Sequence, residues 1–185
     1  MAVQQRFDGY GSHIPVLETI RSITNFSNIL EFGGGDFSTA YFMSIPEAKV
    51  TTIESQSQEW YEHLLTINPN TLWMPDHEEV LAYARSYNQP RDLVLLDTHQ
   101  DLRYKLAPIV REYCDVVIMH DSETSLYKYD EIPIIGTEYL YADFVIHRPW
   151  TGVMSKDKLL LQKVLYQVPG LLYNDMEYKI YLADI

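Results

Sequence analysis

Two groups of residues with chemical potential stand where apolar runs of this sequence stop. The first is a glycine turn with acidic neighbours, Glu31-Phe32-Gly33-Gly34-Gly35-Asp36-Phe37-Ser38, followed by Glu54. Glycines after an apolar run let a ligand lie against bare backbone at a helix N-terminus. A carboxylate about twenty residues further on, ending the next strand, can accept hydrogen bonds from both hydroxyls of a ribose. Together they predict an adenosine-bearing ligand. The second group is Asp97-Thr98-His99 and His120-Asp121-Ser122-Glu123. Two carboxylates converging with one or two imidazoles suit either a divalent cation held through oxygen or removal of a proton from an acceptor hydroxyl or amine. Asp97, His120 and Asp121 are therefore the candidates for chemistry. An aspartate at a strand end also caps the following helix, and for Asp97 and Asp121 that reading stands beside the catalytic one.

The elements that must position these residues alternate. Short runs rich in β-branched or apolar residues (28–32, 49–54, 71–74, 92–97 and 115–119) are separated by stretches with helical spacing (38–43, 58–65, 78–87 and 102–113). The runs Leu93-Val94-Leu95-Leu96 and Val116-Val117-Ile118-Met119 have no polar face, as a parallel sheet covered on both sides requires. After Asp121 the alternation fails. Segments 141–146 and 151–155, separated by four residues including Pro149, predict an antiparallel hairpin at the sheet edge. The expected fold is α/β, a doubly wound and mostly parallel sheet of seven-stranded type with an antiparallel C-terminal hairpin. In such a sheet the ligand lies outside the carboxyl ends of the strands, where both groups of residues fall. A first helix is expected over 17–23 with Ser12 as its N-cap, a last helix over 158–166, and a short strand near 178–182.

Composition narrows the class without naming the chemistry. The 185 residues carry 14 Lys and Arg against 26 Asp and Glu, a net charge of −12. That suits one domain of globular type, with a core over about 12–155 and an extension over 156–185. It makes nucleic acid a poor partner, because a phosphate backbone is bound by neutralising it with Lys and Arg. The lone cysteine, Cys114, and a start without a basic then apolar leader favour a cytoplasmic setting. No apolar run reaches the ~18 residues of a membrane span. Fifteen tyrosines, among them Tyr127, Tyr129, Tyr139 and Tyr141, together with Trp150, predict an acceptor pocket, a subunit interface or ordinary packing. The leucines of the extension predict packing onto the core or between subunits of a homo-oligomer.

Two ligand classes fit an adenosine crevice, dinucleotides and S-adenosylmethionine (SAM). The dinucleotide fingerprint wants a third glycine or alanine where this chain has Ser38. The string Glu31-x-Gly33-x-Gly35-x-x-Ser38, with Glu54, instead resembles the first motif and the ribose-binding acid of class I SAM-dependent methyltransferases. The resemblance implies that Glu31, Gly33 and Gly35 meet the methionine end of SAM, that Glu54 holds the ribose, and that Asp76 accepts from the adenine amine. The stretch from Leu93 to Tyr104 is similar to catechol O-methyltransferase-like enzymes, which implies magnesium on Asp97 and Asp121. His120-Asp121 stands where those enzymes have an Asp-Asn or Asp-Asp pair, and Gln100 where they have a lysine base. The expectation is a methyltransferase acting on a hydroxyl or amine of a small-molecule or exposed acceptor. A nicotinamide-dependent oxidoreductase and a non-catalytic nucleoside-binding assembly protein are the alternatives.

Overall fold

A computed structural model describes residues 11–87, 89–122, 125–128, 132, 140–144, 150–167 and 180–181. Its sheet has eight strands in the order β3-β2-β1-β4-β5-β7-β6-β8. The first five are β1 (Asn28–Phe32), β2 (Lys49–Glu54), β3 (Thr71–Trp73), β4 (Arg91–Leu96) and β5 (Cys114–His120), all parallel. The expected hairpin forms: β6 (Leu140–Phe144) pairs antiparallel with β7 (Thr151–Ser155), which inserts between β5 and β6. The short strand expected near 178–182 forms as the two-residue β8 (Ile180–Tyr181), which adds to β6 and brings the seven-stranded type to eight strands.

The helices are α1 (Ile14–Ile23), α2 (Ser38–Met43), α3 (Gln58–Ile67), α4 (His77–Ser86), α5 (Gln100–Val110) and α6 (Lys158–Gln167). Alternate strand residues feed two apolar layers, as a strand period of two demands. Ile29, Leu93, Leu95, Val116 and Ile118 pack with Leu17, Ile20, Phe42 and Leu161 on the face of α1, α2 and α6. Leu30, Phe32, Val94, Leu96, Val117 and Met119 pack with Val80, Leu81, Leu102 and Leu106 on the face of α4 and α5. Leu160, Leu161 and Val164 of the extension are buried in the first layer, which commits them to this core rather than to a partner. Among the described residues no helix is long and apolar enough to cross a membrane.

The start of α1 differs from expectation. The helix begins at Ile14, its N-cap is His13 without a side-chain hydrogen bond, and Pro15 supplies a preset φ in the first turn. Ser12 is not the cap. It turns inward to the end of β5. Tyr129, Tyr139 and His147, and the side chain of Tyr141, lie outside the described residues.

Candidate active site

The parallel register sets Phe32 beside Leu96 and Leu96 beside Met119, so the residues that follow these strands meet at one rim. The amide of Gly33 donates to Ile53 O (2.8 Å) and that of Asp97 to Phe32 O (2.8 Å), tying the ends of β1, β2 and β4 together. Gly33 has φ +81°, and a Cβ there would lie 2.2 Å from Asp97 O, so both the turn and the contact with β4 exclude a side chain. The glycine turn and the Asp97 loop therefore touch.

Below the turn lies Glu31, fully buried. Its Oε2 accepts from Thr39 Oγ1 and Thr52 Oγ1, both at 2.8 Å, and Thr39 Oγ1 in turn accepts from the amide of Gly35 (3.0 Å). Its Oε1 is buried and finds no hydrogen-bond partner among the described residues. Burial raises the Glu31 carboxyl to about 7, against the pull of the hydroxyls of Ser38, Thr52 and Thr39. Added to Gly35, a Cβ would meet only Ser38 Oγ at 3.6 Å, ordinary contact distance. Gly34, which sequence reasoning passed over, is the more constrained: a Cβ there would crowd Thr52, Thr39 and Leu64 within 2.9 Å, and its carbonyl accepts from Trp60 Nε1 (2.8 Å).

Glu54 ends β2 with its Oε1 accepting from the amides of Gln56 (2.6 Å) and Ser57 (3.1 Å). That oxygen organises the turn into α3, and the Glu54 side chain is buried at the strand end. Burial raises the Glu54 carboxyl above its ordinary value, partly offset by those amides. Asp76 is the N-cap of α4, its Oδ1 accepting from the amide of Glu78 (2.8 Å), and is exposed beside the rim. The capping role foreseen for strand-end aspartates thus falls to Asp76.

Asp97 and Asp121 do something else. The cap of α5 is His99, whose Nδ1 accepts from the amide of Asp101, and Asp121 sits at φ +58°, a left-handed position that aspartate tolerates. Both carboxylates close on Arg103 of α5. Arg103 Nη2 lies 2.7 Å from Asp97 Oδ1 and Nη1 lies 2.9 Å from Asp121 Oδ2. The guanidinium also donates to His120 O (2.8 Å) and to Thr98 O, and the Tyr127 ring lies 3.9 Å from its carbon. His120 Nδ1 faces Asp97 Oδ1 (3.2 Å) and Asp121 Oδ1 (3.4 Å), while its Nε2 meets Ser12 Oγ at 3.2 Å. Burial alone would lower the His120 imidazole, but the hydrogen bonds and charges of Asp121 and Asp97 raise it to about 9. Burial would likewise raise Asp121, but His120 and Arg103 hold it at about 2. At neutral pH His120 and Asp121 therefore face each other as cation and anion, with the Arg103 guanidinium beside them.

His13 packs its ring edge-on to His120 with centroids 4.9 Å apart. Burial, and then the neighbouring His120, lower it to about 4, so it stays neutral beside a charged neighbour. Neither of its ring nitrogens has a partner among the described residues.

Arg103 escaped the sequence reading. The signal for Arg103 was present: it shares a helix face with Leu106, Ala107 and Val110, and a charged residue on an apolar face is buried only when paired. His99 stands apart, half-exposed and beside His77 (4.8 Å between rings). His63 pairs on the surface with Asp36 at 2.6 Å.

A magnesium ion on Asp97 and Asp121 does not fit this arrangement. Three of the four carboxylate oxygens already face Arg103 or His120. At an effective dielectric of ~20, a divalent cation about 4 Å from a guanidinium would be repelled by roughly 8 kcal/mol.

No protein-family model matches the sequence, and no curated protein matches it. Solved structures do. A protein assigned as an O-methyltransferase from Klebsiella pneumoniae superposes with a TM-score of 0.60 at 12% identity, covering 82% of each chain. An O-methyltransferase from Bacillus cereus in complex with SAH gives 0.58 at 16% identity, over 78% of this chain and 79% of that one. A protein assigned as a caffeoyl-CoA O-methyltransferase from Staphylococcus aureus gives 0.59 at 16% identity, over 78% and 83%. Likeness at such identities concerns the fold: this chain has the Rossmann-like fold of the class I methyltransferases, as the first motif and the terminal hairpin led one to expect.

Proposed function

We propose that the protein transfers a methyl group from SAM to a hydroxyl or amine of a small-molecule acceptor. The observation that carries this is the contact between the glycine turn and the Asp97 loop at Gly33. It sets a turn suited to an aminoacyl nucleoside against a cluster suited to handling an acceptor's proton.

The residues at the turn fit SAM. Among the described residues Oε1 of Glu31 has no hydrogen-bond partner, and an ammonium group entering beneath the turn would supply one. The open side of Gly35 admits a ligand against the backbone, and Glu54 at the end of β2 would hold the ribose. When bound, SAM supplies an activated methyl, so a C–O or C–N bond forms as the C–S bond breaks, and the acceptor loses its proton. Most of the rate enhancement is then positioning.

The chain's own contribution lies in the cluster. The side chains of Asp97 and Asp121, exposed by 24% and 22%, present carboxylate to the rim while Arg103 and His120 stand behind them. A carboxylate held at about 2 is too weak a base to carry a proton at neutral pH, so Asp121 orients the acceptor by accepting its hydrogen bond. Asp97 shares its Oδ1 with His120 Nδ1, and the acceptor's proton leaves through Asp97 to His120 in its neutral form. His120 is held toward Asp97 by Ser12 on its other nitrogen.

Incubation with methyl-labelled SAM and a panel of phenols, alcohols and amines tests the proposal. Labelled product from at least one acceptor, lost in Asp97→Asn, is the expected outcome. Hydride transfer to or from NAD without any methylated product would assign the oxidoreductase reading. SAM binding with no product from any acceptor would assign the silent binder.

A further inference from the structure

Asp97, His120 and Asp121 have the spacing of a divalent-metal site, with one ligand atom from each within 4.8 Å of the others. We propose that Arg103 takes the place of that metal: its guanidinium permanently spaces and neutralises the two carboxylates, and the acceptor is bound through a single hydroxyl or amine rather than chelated through two adjacent oxygens. The inference deepens the methyl-transfer reading and depends on it for the word acceptor.

Arg103 is not a surface side chain that strays into the site. Its side chain is only 6% exposed, and its donors are spread over Thr98 O, His120 O, Asp121 Oδ2 and Asp97 Oδ1. Tyr127 covers its face. A planar fork of this kind fits two carboxylates at once and stays charged at any pH the protein meets. A hard cation needs six or more oxygen ligands, whereas the oxygens here already accept from Arg103 and face His120. To bind one, the cluster would have to expel Arg103 and leave a buried guanidinium without its carboxylates. The consequence for specificity is chemical. A metal recognises vicinal oxygens by chelation, whereas a carboxylate backed by arginine recognises one O–H or N–H donor.

Mn2+, followed by the loss of its free electron paramagnetic resonance signal, is the probe. The intact wild-type protein is expected to bind Mn2+ no more tightly than about 1 mM, the weak end for oxygen-ligand sites. Arg103→Met, checked for folding by circular dichroism, is expected to bind Mn2+ at least ~10-fold more tightly, because both carboxylates are released, and Asp97→Asn in that background should abolish the gain. Where Arg103→Met does not fold, Arg103→Gln serves, since a neutral amide keeps hydrogen-bond donors beside the carboxylates while removing the charge that repels a cation. Micromolar Mn2+ binding by wild type that Asp97→Asn removes would overturn the proposal, as would a folded Arg103 variant that binds no better than wild type. Neither readout involves SAM. A failed methyl-transfer assay beside the expected Mn2+ result therefore removes the function and leaves the arginine assignment standing.

Discussion

Asp97 and Arg103 form a 2.7 Å ion pair in which the cation is almost wholly buried and the anion keeps about a quarter of its side chain at the rim. One side of Asp97 is thus fixed by the protein and the other is offered to a ligand. A carboxylate held this way is pre-oriented before anything binds, which is how electrostatic catalysis avoids reorganisation during the reaction.

The same pair sets a stability prediction. Removing one member of a buried ion pair leaves the other charge uncompensated, at a typical cost of 3–5 kcal/mol. Arg103→Met should therefore lower unfolding free energy by about 3 kcal/mol in urea, and Asp97→Asn added to it should cost less than the two single changes summed. Strict additivity would mean that the two side chains do not interact.

Activity should depend on pH through His120. Its imidazole is raised to about 9, so at neutral pH the neutral form that accepts a proton is scarce. For a hydroxyl acceptor, kcat/KM is expected to climb roughly tenfold per pH unit from 7 and level off near 9. His120→Gln should flatten that rise. A profile already flat between 7 and 9 in wild type would remove His120 from the proton path.

Stability at acid pH should depend on His13. Its folded pKa is depressed to about 4 from 6.5, so the stabilisation relative to the unfolded chain is complete above 6.5 and is lost as pH falls through 4. The sign follows from the unfolded state binding the proton first. A shift of this size corresponds to about 3 kcal/mol. His13→Leu should lose this acid limb in urea titrations between pH 7 and 4, and unchanged pH dependence in that variant would contradict the assignment.

Gly33 is the position where a single methyl should do most harm. It combines φ +81° with a Cβ position 2.2 Å from the carbonyl oxygen of Asp97. Gly33→Ala should cost at least ~2 kcal/mol and displace Asp97 from its arginine. A variant with wild-type melting behaviour would show that the turn has room the structure denies it.

How much of this was legible in the sequence follows from what each feature depends on. Strand and helix order could be read because apolar runs such as Leu93-Val94-Leu95-Leu96 and helical spacing are local signals. So could the gathering of Glu31, Gly33, Glu54 and Asp97 at one rim, since a parallel sheet puts every strand's carboxyl end on the same edge. The partners were not legible. Arg103 meets Asp121 across 18 positions and Ser12 meets His120 across 108, distances in sequence that only tertiary packing closes. For that reason the charge state of the cluster, and with it the choice between a metal and an arginine, had to come from the structure. The division of labour among aspartates had the same cause: Asp76 precedes a helix whose amide it reaches, while the side chain of Asp121 turns to Arg103 and His120.

The central claim is that the glycine turn over Glu31 is a SAM site, and calorimetric titration with SAM, in parallel with NAD, tests it most directly. Glu31 is raised to about 7, and a cationic ligand needs its carboxylate form. Micromolar SAM binding, several-fold tighter at pH 8 than at pH 6, with the pH dependence lost in Glu31→Gln and binding lost in Glu54→Ala, is the predicted result. Binding of NAD but not SAM, or of neither, would contradict it.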